Sequence, residues 1–171
     1  MADPRLVTGL FPDRDSAERA YSSVAARGYD RDDVNLVMSD ETRQRHFSSA
    51  VSTELGTKAA EGAGIGGAIG GTVGAIAAAV AAVGTSLVLP GLGLVIAGPI
   101  AAALAGAGAG GAAGGLVGAL IGWGIPEERI AAYESGIRDG GILMGVRPRD
   151  AADALAFENS WRDANGMLIL S

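Results

Sequence analysis

Gly62 to Pro126 reads GAGIGGAIGGTVGAIAAAVAAVGTSLVLPGLGLVIAGPIAAALAGAGAGGAAGGLVGALIGWGIP, and none of these residues is charged. Glu61 and Glu127 bound it. Glycine recurs at every fourth position twice, at Gly62, Gly66, Gly70 and Gly74, and again at Gly106, Gly110, Gly114, Gly118 and Gly122. Residues four apart share one face of an α-helix. Glycine at each such place leaves a groove in which a second backbone can lie, as in small-xxx-small helix pairs. Gly67, Gly71, Gly111 and Gly115 widen both grooves. Each glycine costs about 1 kcal/mol against alanine in an isolated helix. The seven glycines from Gly62 to Gly74 therefore call for close backbone contact, or a medium without competing water. A flexible Gly/Ala linker would carry Ser, Asn or charge where this chain has Ile65, Ile69, Val73, Ile76, Val80 and Val83.

The spacing predicts two helices, Thr57 to Val83 and Ile100 to Trp123, each long enough to cross about 30 Å of hydrocarbon. Between them, Pro90, Pro99, Gly91, Gly93 and Gly98 break the helix. This joint is the most apolar part of the chain, with Leu87, Val88, Leu89, Leu92, Leu94, Val95 and Ile96 around Pro90. The branched residues of the first comb supply only about −2 to −4 kcal/mol toward insertion. The tip residues Leu87, Leu89, Pro90, Leu92, Leu94 and Ile96 are therefore expected to sit in lipid, on the far leaflet, or inside an oligomer.

Outside this stretch the chain alternates strand and helix. Leu6 to Phe11 reads as a strand and Pro12–Asp13 as a turn. Asp15 and Glu18 suit a capping box, and Ala17, Ala20, Tyr21, Val24 and Ala25 form one apolar helical face ended by Gly28. Val34, Leu36 and Met38 alternate with polar residues, the pattern of a half-buried strand. Residues 41–58 read as a polar connector with some helix. Pro126, Glu127 and Glu128 suit a helix N-terminus, with Ile130, Tyr133 and Ile137 as its buried stripe. Ile142 to Val146 is a central strand. Pro148 and Asp150 open a helix whose Ala151, Ala154, Leu155, Phe157, Trp161 and Ala164 face inward, and Met167 to Leu170 is the last strand. The order predicts an α+β, ferredoxin-like sandwich from residues 1–40 and 124–171. A glycine-zipper helical hairpin, 59–123, is inserted between its second and third strands.

Composition narrows the function. The net charge of −6, without a Lys/Arg cluster, speaks against nucleic acid. The absence of cysteine excludes disulfides and thiolate metal sites. The start, MADPRLVTGLF, has no charged-then-apolar leader, so the flanks are expected in the cytoplasm, with the hairpin at the inner membrane. Gly62-x-Gly64-x-x-Gly67 and Gly106-x-Gly108-x-x-Gly111 match a dinucleotide pattern, but neither follows a strand or precedes a spaced acid. His46 is the sole histidine, and Asp30, Asp32 and Asp33 read as a solvated turn. No catalytic, cofactor or metal residues are assigned, and the chain is read as a non-enzyme.

LFPDRDSAERAYSSVAARGY, GTKAAEGAGIGGAIGGTVGA, LPGLGLVIAGPIAAALAGAGAGGAAGGLVGALIGWGIPEE and AAYESGIRDGGILMGV span nearly the whole chain and resemble the bacterial general stress, or heat-induced stress, proteins with a YflT-like domain. The resemblance implies a stress-induced, non-enzymatic, membrane-associated protein with a glycine-zipper hairpin. It supplies no catalytic residues. The expected function is structural: membrane association, homo-oligomer assembly, or both, through the comb glycines. The alternative is an oligomeric carrier of an apolar ligand, lipid or quinone, held in a lumen of apolar tips.

Overall fold

The first strand, β1 (Val7–Phe11), is buried along its whole length. A strand covered on one side would bury only alternate residues, so this sheet has a core on each face. The computed structural model describes residues 6–51, 86–89, 93–99, 101, 117, 120–121 and 124–171. After β1 come α1 (Arg14–Ala25), a 3-10 turn at Arg31–Asp33, β2 (Val34–Ser39) and α2 (Asp40–Val51). Two short strands follow, β3 (Ser86–Leu89) and β4 (Leu94–Ala97), then α3 (Glu127–Arg138), β5 (Ile142–Val146), α4 (Ala151–Asp163) and β6 (Met167–Leu170). The class is α+β. One antiparallel sheet runs in the order β3-β4-β2-β5-β1-β6.

Two cores lie back to back across it. On one face Val7, Phe11, Leu36, Met38, Ile142 and Met144 meet Ala20, Tyr21 and Val24 of α1 and Phe157 and Trp161 of α4. Trp161 stands edge-on to Phe11 at 5.5 Å and stacks on Phe157 at 6.3 Å. A side chain at Gly9 would lie 2.9 Å from the Trp161 ring, so β1 needs a bare backbone there. On the other face Leu10, Val37, Leu94, Ile96 and Leu143 pack with Ile130, Tyr133 and Ile137 of α3. Ala101, Leu120 and Ile125 join that second cluster.

Several local expectations change. β2 is buried on both sides, Val37 and Asn35 included, because α3 covers the face that its polar residues suggested was wet. The cap of α1 is Asp13, whose carboxylate accepts the Ser16 N–H at 2.7 Å, and not Asp15, which already lies inside the helix. The connector begins as the regular helix α2, which buries Phe47. On α4, Phe157, Trp161 and Ala164 face inward, but Ala151 and Leu155 are exposed.

The largest correction concerns the joint between the combs. It forms an antiparallel β-hairpin, with Leu87 opposite Ile96 and Val88 opposite Val95. That hairpin extends the sheet, with Val37 opposite Ile96 and Met38 opposite Val95. Leu94 to Ala97 are all buried. The reason is physical: an uncharged run with one apolar residue after another can be covered on both faces, and β2 would otherwise be an open edge. Gly98 secures the join at φ +103°, with its Cα so near β2 that a side chain there would collide with the Val34 carbonyl and lie 2.9 Å from Asn35 Cα. Residues 59–123 are thus not wholly separate from the α+β domain, since part of them completes its sheet and second core.

Candidate functional site

The comb glycines Gly62, Gly66, Gly70, Gly74, Gly106, Gly110, Gly114, Gly118 and Gly122 lie outside the described residues, as do Pro90 and Leu92. Of the remaining tip residues, Leu87 and Leu89 belong to β3. Leu94 and Ile96 point into the second core. Their expected placement at a membrane or lumen tip is therefore corrected for Leu94 and Ile96, which spend their apolar surface inside the domain.

What is described of the second comb shows how it meets the domain. Val117, Leu120 and Ile121 are helical. Leu120 is fully buried in the cluster that holds Ile96 and Tyr133. Val117 and Ile121, four residues apart, are 43% and 46% exposed. Residues at i and i+4 stand one above the other, so this segment anchors through Leu120 and turns a branched apolar pair outward. Gly118 and Gly122 each follow one member of that pair in sequence. Gly124, at φ +75°, and Ile125, whose N–H donates to the Leu120 carbonyl at 3.1 Å, then lead the chain into α3. No charged side chain lies on the stretch to steer an acidic or basic partner.

Away from this surface, one polar cluster joins α1's end to α4's start. The Tyr29 hydroxyl and the Arg27 guanidinium both donate to the Asp153 carboxylate. The Arg149 backbone N–H donates to the Tyr29 hydroxyl at 2.7 Å, and its guanidinium lies over the Tyr29 ring at 4.0 Å. The Tyr29 bond, helped by Arg27, holds Asp153 below the usual carboxylate range. Burial, reinforced by the Asp153 bond, pushes the Tyr29 phenol up. The Arg149 guanidinium also donates to the Gly28 carbonyl at 2.8 Å, and the arrangement ties the end of α1 to the start of α4. Sequence reasoning missed it because its members are more than a hundred residues apart.

A second buried polar pair, Tyr133 and Thr8 at 3.2 Å, sits beneath the opposite sheet edge, and the Tyr133 hydroxyl also donates to the Leu168 carbonyl. Burial raises the Tyr133 phenol. His46 is half-buried, with its backbone carbonyl accepting from Arg14 at 2.9 Å. Asp30 and Asp33 cap their own turn, with the Asp30 N–H donating to Asp33 at 3.0 Å and the Asp32 N–H to Asp30 at 2.8 Å. Among the described residues, no group of three or more His, Cys, Asp or Glu side chains could hold a metal ion. Also among them, no helix is long and apolar enough to cross a membrane. Compared with protein-family models, curated proteins and solved structures, the chain matches none.

Proposed function

We propose that this is a self-assembling interaction protein, without catalytic activity, in which a ferredoxin-like core carries glycine-combed apolar segments that pack against other copies of the chain. Support for the core comes from the order β2-β5-β1-β6 within the sheet, with α1 and α4 on one face. Each half then reads as a β-α-β unit of the split type.

One observation carries the assembly reading. Val117 and Ile121, each followed by a comb glycine in sequence, stand half-exposed on a segment fixed to the domain by Leu120. A branched apolar pair alternating in sequence with glycines at every fourth position is the small-xxx-small pattern that suits a second backbone. The same observations favour protein contact over lipid insertion. Leu94 and Ile96 are committed to the sheet, and the remaining comb residues are weak insertion signals. The lumen reading loses support for the same reason, since its walls drew on those side chains. What the resemblance to general stress proteins implies is a stress-associated assembly.

The test is the pair Val117→Asp and Ile121→Asp, made together in the full chain. Sedimentation in detergent-free buffer is expected to show a smaller particle than the unaltered chain, while far-UV circular dichroism shows the α+β domain still folded. An unchanged particle size would reject the surface. Loss of membrane pelleting with no change in particle size would instead favour lipid as the partner.

A further inference from the structure

α4 ends in a tight turn whose two residues carry chemistry of their own. Asn165 lies at φ +62°. Its N–H donates to the Arg162 carbonyl at 3.1 Å, and the Gly166 N–H donates to the Trp161 carbonyl at 2.7 Å. These are the two bonds of a Schellman cap, with Asn165 as its left-handed residue. Asparagine is one of the few residues besides glycine that enter that region readily. Gly166 is required for a different reason. A side chain there would lie 2.6 Å from the Trp161 carbonyl oxygen and 3.0 Å from the Phe11 ring. The turn therefore selects asparagine followed by glycine.

That pair is chemically fragile. The Gly166 nitrogen can attack Cγ of the Asn165 side chain, because glycine has no Cβ to block the approach. The nitrogen gives its proton to hydroxide or water. The new N–Cγ bond closes a succinimide ring, the Cγ–Nδ2 bond breaks, and the amide nitrogen leaves as ammonia. Water then opens the ring at either carbonyl, giving aspartate or isoaspartate. The other asparagines, Asn35 and Asn159, precede Leu36 and Ser160, whose side chains hinder the same attack.

The fold holds this reaction at its first step. The proton that must leave the Gly166 nitrogen is engaged by the carbonyl of the fully buried Trp161. The strand that follows is loosely held. β6 is an edge strand, its pairing with β1 shifts register between Thr8 and Leu10, and Leu168 lies at φ +53°. Such segments open locally at lower free energy than the core. Asn165 itself is exposed to the water that the second step consumes.

We propose that Asn165 is a site of spontaneous deamidation gated by the α4 cap, so that the chain keeps a permanent record of the time this end of the domain spends open. The product acts back on the cap. A carboxylate at position 165 joins Asp163 at the negative end of the α4 dipole. Isoaspartate adds a carbon to the backbone of a turn whose contacts at Gly166 leave no room. The modification therefore loosens the cap that delayed it. None of this depends on the glycine combs.

The test keeps the full chain in mildly alkaline buffer over a series of urea concentrations, from none to fully unfolding. Trypsin then releases Asp163–Ser171, whose mass rises by one unit on deamidation, and Asp150–Arg162, which carries Asn159. In unfolding urea, Asn165 is expected to react at least ten times faster than Asn159. Without urea it should react at least ten times more slowly than in unfolding urea. Below the unfolding transition its rate should stay flat, as local opening requires. The deamidated chain, separated by its added negative charge and returned to buffer, should melt at a lower temperature than the unreacted chain. Asn165 no faster than Asn159 in urea overturns the site. Equal rates with and without urea, or a rate that climbs with every increment of urea below the transition, overturn the cap as the gate. An unchanged melting temperature overturns the action of the product on the cap.

Discussion

Ile96→Ala is the sharpest probe of the β-hairpin's place in the domain. Ile96 is fully buried, opposite Val37 on one side and Leu87 on the other, in the cluster with Leu120, Tyr133 and Ile137. The substitution removes three carbon groups. At about 0.8 kcal/mol each the transfer loss is about 2.4 kcal/mol, and the cavity left behind raises the total to about 3 kcal/mol. Such a loss is a large fraction of the about 5–15 kcal/mol that holds a domain together. For a chain of this size it lowers the thermal midpoint by about 6–12 °C. Ile121→Ala removes the same groups from a half-exposed site and is expected to cost about 1 kcal/mol or less. Urea unfolding followed by far-UV circular dichroism, at one fixed protein concentration, measures both. Equal effects of the two substitutions, or a loss below about 0.5 kcal/mol at Ile96, would refute the placement of β4 in the core.

Three further outcomes follow from the same contacts. Gly98→Ala should destabilise by about 2 kcal/mol or more, because the position has φ +103° and its new methyl would meet the backbone of β2; urea midpoints check this. Tyr29→Phe should cost about 1 kcal/mol, since it strips a partner from both Asp153 and the Arg149 N–H; thermal unfolding at neutral pH reads it. Asp153→Asn should show a pH signature. Its carboxyl is held low in the folded chain, chiefly by Tyr29, so its contribution is present above the unfolded value of about 3.9 and is lost as pH falls through the folded value. The variant should therefore be less stable than the unaltered chain at pH 7 and converge with it below about pH 4. A gap that stays constant across that range would show that the ion pair is not its source.

Most of the sheet was legible because its strands and helices carry their own punctuation. Ile142 to Val146 is a continuous apolar run and occupies a central position, between β1 and β2. Ile130, Tyr133 and Ile137 hold helical spacing and are buried. The β-hairpin was illegible for a reason equally physical. SLVL and LVIA are four residues each, too short for periodicity to separate a doubly covered strand from a membrane-seeking run. Alternation misled at β2, where Asn35 looked like a solvent-facing residue yet is buried. Spacing also overstated α4, where Ala154, Phe157, Trp161 and Ala164 pack against the first core but Ala151 and Leu155 are on the outside. The glycine combs were legible as a pattern in the sequence, and they lie outside the described residues. The outward Val117 and Ile121 became recognisable only once Leu120 was seen to point inward. The left-handed Leu168 leaves no mark in sequence, because leucine is no turn signal.

The claim on which the account rests is that the uncharged glycine faces bind protein backbone. Sedimentation velocity of the full chain in detergent-free buffer, beside Gly70→Leu and Gly114→Leu, tests it most directly. The unaltered chain is expected to sediment as a multimer, and each leucine, by filling a groove, should shift the population to smaller species while the α+β domain stays folded. A monomer in all three cases, or a multimer indifferent to both leucines, would contradict the claim.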